Sequence, residues 1–212
     1  MMRISHKHKF VYIAPPKTGS TTIRYALNEY SEVKSIPYLN SPLYYHVKPI
    51  QLENYFEEQN WNWGEYFKFA FVRNPWASCV SKWEYRKRIM NNPTKRQKEN
   101  GFHDKSKNAI RSWKSFEGMI RQGLAGISTS PQYLWVFGKD SEQLVDFVGK
   151  CENLQEDFNI ICDKIGIPRQ QLPHANKTKH KHYTEYYNDE TRQIVAEKYA
   201  KDIEYFGYAF GE

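Results

Sequence analysis

The chain has 212 residues, with 31 Lys and Arg against 24 Asp and Glu, for a formal charge of +7. Apolar residues make up 40% and aromatics 16%, which excludes a disordered chain and supplies a core of ordinary domain size. The positive balance favours an anionic partner, and nucleic acid, an anionic polysaccharide and a phosphorylated cofactor all qualify.

The opening stretch "MMRISHKHKFVYIA" is basic and then briefly apolar. Its apolar part is too short for a secretory leader and reads as a strand. "FVYIA", residues 10–14, is β-branched and aromatic and stops at two prolines, as a buried parallel strand does. "APPKTGSTT" follows, and then "STTIRYALNEY", with Ile23, Ala26, Leu27 and Tyr30 at helical spacing. Strand, glycine-bearing turn and helix make a βα unit.

Residues 31–64 are broken by prolines and hold a short helix near "PIQLENYFEEQ". "YFKFAFV", 66–72, is a second buried strand, running into Arg73-Asn74-Pro75, where Asn74 can cap a helix and Pro75 can open it. Trp76, Val80 and Trp83 mark the helix that follows. The basic stretch 86–114 has few apolar residues and reads as a helix end and a mobile loop. "SFEGMIRQGL" is helical and "LVDFVGK", 144–150, is a third buried strand. Leu154, Phe158, Ile161 and Ile165 mark an amphipathic helix that stops at Gly166. A polar basic loop, "PHANKTKHKHYTEYYND", leads to a last helix with Val195, Tyr199 and Ile203. With no repeats and no Gly/Ser-rich linker, residues 1–212 are expected to form one α/β domain, a central, mainly parallel sheet flanked by helices. No 18-residue apolar run is present, so no transmembrane helix is expected. Cys79, Cys151 and Cys162 are an odd number without metal-ligand spacing and read as free thiols in a reducing compartment.

The βα turn gathers backbone N–H groups and the positive end of a helix dipole, about half a unit charge. Gly19 permits close approach of a ligand, Lys17 adds a cation, and Ser20, Thr21 and Thr22 add hydroxyls. Together they favour anion binding over a helix end that only caps itself. A nucleoside triphosphate fits poorly: G-x-x-x-x-G-K-[ST] is absent, and no strand ends in an obvious metal-binding aspartate. Arg73 stands where the second strand ends, at the edge where open α/β sheets bind ligands. It can grip a phosphate through two parallel hydrogen bonds, and Ser81, eight residues on, can add a third. Pairing of Arg73 with a surface carboxylate is the alternative.

"PPKTGSTTI" and "FAFVRNPWASCVSKW" together resemble the two cofactor motifs of sulfotransferases that use 3′-phosphoadenosine 5′-phosphosulfate (PAPS), in the carbohydrate-type, family 2-like branch. The resemblance implies a P-loop-like sulfotransferase fold, with Lys17, Thr18, Gly19, Ser20, Thr21 and Thr22 on the phosphosulfate. Arg73 and Ser81 would hold the 3′-phosphate, and Thr178 and Lys179 would close over it from the tail loop. It implies transfer of a sulfuryl group to an acceptor hydroxyl, most simply on a carbohydrate, with no metal required. Lys17 would stabilise the leaving oxygen. A His or Glu from the segment around 46 would take the acceptor proton; His46 is the candidate, with Glu53 and His174 in reserve and a packing role among Tyr44, Tyr45 and Val47 as the alternative. Gln132 is expected in the acceptor cleft.

Two other readings remain at this point. A nucleotide-dependent kinase would need magnesium and ATP. A nucleic-acid-binding protein would use the +7 charge, although the basic groups form no recognised binding motif. Relatives in animal secretory pathways carry a membrane anchor ahead of the first strand, and this chain starts at a strand, so a cytoplasmic enzyme is expected.

Overall fold

The computed structural model describes residues 2–36, 41–124, 130–138, 142–173 and 181–212. Among them the elements run β1 (Arg3–Ser5), β2 (Phe10–Ile13), α1 (Ser20–Ala26), β3 (Val33–Lys34), α2 (Pro49–Glu58), β4 (Phe67–Val72) and α3 (Pro75–Asn91). They continue with α4 (Lys95–Glu99), α5 (Phe102–Trp113), α6 (Phe116–Arg121), β5 (Phe147–Lys150), α7 (Leu154–Ile165), α8 (Asp189–Lys198) and α9 (Ala200–Phe206).

The five strands form one sheet in the order β3-β1-β2-β4-β5. β2, β4 and β5 pair in parallel, with Tyr12 opposite Phe69 and Phe69 opposite Phe147. β1 runs against both β2 and β3, so four of the five strands point the same way. The expected mainly parallel sheet is present, with a reversed strand inserted near one edge. That reversal is a hairpin: β1 turns into β2 through "HKHK", where Lys9 takes φ 49° and the Ser5 hydroxyl accepts the His8 N–H at 3.1 Å.

The chain divides into two compact units, Met1–Arg73 with Gln132–Ala175, and Asn74–Pro131 with Asn176–Glu212. The sheet belongs to the first. One of its faces packs Phe10, Tyr12, Phe69 and Phe71 against Ile23, Ala26 and Leu27 at α1 and against Phe158, Ile161, Cys162 and Ile165 of α7. The residues of opposite alternation, Ile4, Val11, Ile13, Ala70 and Val72, are also fully buried. Burial on both faces explains why β2 and β4 read as unbroken apolar runs. The α7 helix ends as expected, with Gly166 at φ 68° closing its last turn.

The second unit is built on α3. Asn74 caps it by accepting from the N–H groups of Trp76 and Ala77 at 3.1 and 3.3 Å, and Pro75 follows directly. Trp76, Val80 and Trp83 pack with Trp113, Phe116, Met119, Val195 and Tyr199. The stretch 86–114 is not a loop: α3 continues to Asn91, and α4 and α5 fill most of the rest. Thr94 caps α4 by accepting the Gln97 N–H at 3.3 Å, and its own N–H goes to the Gln97 side chain at 2.9 Å. The predicted strand 144–150 is shorter, beginning at Phe147.

No helix among the described residues is long and apolar enough to cross a membrane. All three cysteines are unpaired.

Candidate active site

The turn after β2 has the geometry its sequence suggests, with one addition. Gly19 takes φ 71°, the left-handed region open to glycine, and so does Lys17, at φ 70°. A side chain there costs roughly 1 kcal/mol or more. The curl is braced by Thr18, fully buried, whose hydroxyl donates to the Pro15 carbonyl at 2.9 Å. Thr18 therefore faces any ligand with its backbone N–H, its hydroxyl being engaged within the loop. Ser20 and Thr22 are nearly buried, and Thr22 donates weakly to Pro173 at 3.5 Å. Thr21 and Lys17 are half-buried.

Below the loop, a β-carbon on Gly19 would meet Leu154 Cδ2 at 3.2 Å and Cys151 Sγ at 3.6 Å. Gly19→Ala combines that crowding with an unfavourable φ. It is expected to lower stability by about 1–2 kcal/mol in urea titrations, with the midpoint moving and the slope unchanged.

His46 comes to the same turn. Its Nδ1 donates to the Ala14 carbonyl at 2.7 Å. A carbonyl can only accept, so the proton is on Nδ1 and the lone pair is on Nε2. Burial pushes the His46 pKa down to about 4, with Lys17 the smallest of the charges that add to it, and the bond to Ala14 opposes this only in part. The ring is therefore neutral at pH 7. Trp135 Nε1 donates to the His46 carbonyl at 3.0 Å and fixes the backbone beneath it. Tyr44 meets the ring edge-on at a centroid distance of 6.1 Å. Of the packing anticipated for His46 among Tyr44, Tyr45 and Val47, the Tyr44 contact is present.

Arg73 directly follows β4, the parallel neighbour of β2, so both strands lead to one edge of the sheet. Gln132 grips the Arg73 backbone from both sides: its Oε1 accepts the Arg73 N–H at 2.8 Å, and its Nε2 donates to the Arg73 carbonyl at 2.7 Å. Gln132 is 5% exposed, and its amide clamps the end of the strand. The position of Arg73 relative to the loop is marked by Cys151. Burial pushes that thiol up, while the positive charges of Arg73 and Lys17 both pull it down. The charges of both cations are thus felt at one sulfur, which lies beneath Gly19.

Ser81 is in the other unit, on α3, half-buried and two turns beyond the Asn74 cap. At seven residues from the cap, it returns to nearly the same helix face. Thr178, Lys179 and His174 lie outside the described residues. Glu53 is half-buried on α2. The other described histidines have structural work: His6 Nδ1 bonds the Tyr66 hydroxyl at 2.7 Å, His8 Nδ1 the Ile165 carbonyl at 3.2 Å, His103 Nε2 the Met90 carbonyl at 3.2 Å and His182 Nδ1 the Thr184 hydroxyl at 2.8 Å. His6 and His8 are thereby tied into the fold.

Asp146, the one acidic residue in a predicted strand, precedes β5 and accepts from Lys68 N–H and Nζ at 2.7 and 3.0 Å. It stands at the sheet edge opposite the loop, committed to Lys68. Among the described residues no three His, Cys, Asp or Glu side chains cluster as a metal site.

A family model described as "Sulfotransferase family" matches residues 1–209. An uncharacterised protein of Archaeoglobus fulgidus is 32% identical over 106 residues, 50% of this chain and 72% of its own. A crystal structure of a sulfotransferase from Alicyclobacillus acidocaldarius aligns with 98% of this chain and 84% of its own, at 14% identity and a TM-score of 0.39.

Proposed function

Because the chain belongs to the sulfotransferase family, we propose that it transfers the sulfuryl group of PAPS to an acceptor hydroxyl, on a carbohydrate. The observation that carries this reading is the His46 bond to Ala14, which sets a neutral imidazole beside a loop holding Lys17 and Gly19.

The chain's groups suit an in-line displacement. The acceptor oxygen bonds to sulfur while the bond from sulfur to the bridging oxygen of the 5′-phosphate breaks. His46 Nε2 takes the hydroxyl proton, and its Nδ1–H keeps the ring in the required tautomer. Charge grows on the departing oxygen of adenosine 3′,5′-bisphosphate, where Lys17 and the N–H groups at the start of α1 offset it most strongly in the transition state. Arg73, Ser81, Thr178 and Lys179 are assigned to the 3′-phosphate. The unpaired thiols are in keeping with a reducing, cytoplasmic setting.

A kinase on the same loop is the alternative. The commitment of Asp146 to Lys68 at the far sheet edge weighs against it. Thermal unfolding with adenosine 3′,5′-bisphosphate, with ATP plus magnesium, and with an oligonucleotide separates the three readings. A strong shift is expected with the first alone. Arg73→Ala should weaken that ligand about 10- to 100-fold, the value of a bidentate charge-assisted pair. Binding that is undiminished in Arg73→Ala, or stronger with ATP and magnesium, would sink the reading.

A further inference from the structure

Arg73 and His46 come from separate stretches of the chain, yet one short turn holds both. Gln132–Trp135 is a single 3-10 turn. In that geometry, with about three residues per turn, positions i and i+3 lie on one face. Gln132 and Trp135 are such a pair. From that face the Gln132 amide makes its two bonds to the Arg73 main chain, at 2.8 and 2.7 Å. From it also the Trp135 indole N–H donates to the His46 carbonyl at 3.0 Å. Both anchors are buried, at 5% and 4% exposure.

Each contact is chemically specific. A side-chain amide accepts and donates at once, so Gln132 serves both the N–H and the carbonyl of one residue just past β4. The ladder between β4 and β5 stops one residue earlier, at Val72 and Lys150. Trp135 holds the segment 46–48 at two points, because Lys48 Nζ also lies 5.9 Å from the centre of its ring. Neither hydrogen bond uses the Arg73 guanidinium or the His46 imidazole. Both act on main-chain atoms, and so set the points from which those side chains extend. The turn is itself tied down. Phe137 N–H donates to the Tyr133 carbonyl at 2.8 Å, and Leu144 N–H to the Val136 carbonyl at 2.8 Å, which joins the turn to the chain entering β5.

We propose that the turn Gln132–Trp135 is a positioning element of the active site, in which Gln132 sets Arg73 for the 3′-phosphate of the donor and Trp135 sets His46 for proton transfer. Gln132 and Trp135 are positioning residues, acting through the two groups they hold. The roles of Arg73 and His46 rest on the sulfotransferase reading; their placement by one turn does not.

The test compares two variants with the wild type. Trp135→Phe keeps a ring for Lys48 and loses the indole N–H. Gln132→Met keeps the side-chain length and loses both hydrogen bonds. Trp135→Phe should lower kcat about tenfold, the value of one such bond, with the Kd of adenosine 3′,5′-bisphosphate within about twofold of the wild type. Gln132→Met should weaken that ligand by about tenfold or more. In the ligand-free protein, histidine NMR should show His46 titrating closer to the ordinary histidine value in Trp135→Phe, because a released carbonyl lets the ring move toward solvent. A Trp135 that only stabilised the fold would lower the unfolding temperature and leave all three readings of the folded protein unchanged. An unchanged His46 titration, equal losses of kcat and ligand affinity in Trp135→Phe, or wild-type ligand affinity in Gln132→Met would overturn the proposal. If Gln132→Met does not fold, Trp135→Phe decides alone. A wild type that binds no adenosine 3′,5′-bisphosphate counts against the donor reading, and the His46 titration still decides whether Trp135 sets the ring.

Discussion

Lys17→Ala is expected to lower kcat by about 10²–10³-fold while the protein stays folded. Both residues carry a β-carbon, so the left-handed backbone at φ 70° is equally strained before and after the change. The Thr18 brace to Pro15 is also untouched. What disappears is one cation beside the turn, a group of greatest value when charge develops on the leaving oxygen. The loss should therefore appear in kcat, and ground-state binding of adenosine 3′,5′-bisphosphate should fall less, because Arg73 remains. Single-turnover rates with saturating PAPS make the measurement. A fall in kcat of less than tenfold would remove Lys17 from the leaving-group role. The same variant has a second signature: Lys17 depresses His46, so its removal should raise the His46 pKa.

The glycine-bearing turn after β2 and the strand-end arginine were legible in the sequence because each depends on a few adjacent residues. Two buried strands read as apolar runs, with "PPKTG" directly after the first and "RNP" directly after the second. The long helices α3 and α7 were legible from period and caps. What escaped was short or diluted. β1 is three residues, and its hairpin turns on Lys9 in a left-handed conformation, with none of the Asn-Gly or Asp-Gly chemistry that signals such a turn. In α5 the apolar face is Phe102, Ala109, Ile110 and Trp113, spread among lysines and arginines, so charge masked the helical period. The Thr94–Gln97 capping box was the available signal for α4.

The site was legible by residue type and not by partner. Nothing in "LYYHVKP" names the Ala14 carbonyl as the acceptor for His46, and nothing in "SPQYLW" marks Gln132 as a clamp on Arg73. Those are long-range pairings, fixed by where the sheet brings the chain back. The burial of Arg3 in β1 was unreadable for the same reason: a basic residue near the start of a chain looks solvated until its strand is placed inside a sheet.

His46→Asn is expected to lower kcat by about 10²–10⁴-fold with little change in the affinity for adenosine 3′,5′-bisphosphate. Asparagine can still donate to the Ala14 carbonyl, so the turn keeps its hydrogen bond while the Nε2 lone pair is lost. A pKa near 4 leaves His46 unprotonated at neutral pH but makes it a weak base. An anionic donor in the loop would offset the Lys17 charge and raise that pKa. The acid limb of the kcat profile should consequently lie above pH 4 and be missing in His46→Asn, and histidine NMR should show the same upward shift on titration with adenosine 3′,5′-bisphosphate. Stability gives an independent check whose sign is fixed. The unfolded histidine, at the usual 6.5, binds protons more readily than the folded one at about 4. His46 therefore contributes nothing unfavourable above pH 6.5, and the native state loses ground as pH falls from 6.5 toward 4. The wild type should lose about 3 kcal/mol more than His46→Asn across that window. If the two variants lose stability in parallel and kcat is unchanged, the base is another group, and Glu53 on α2 is the next residue to replace.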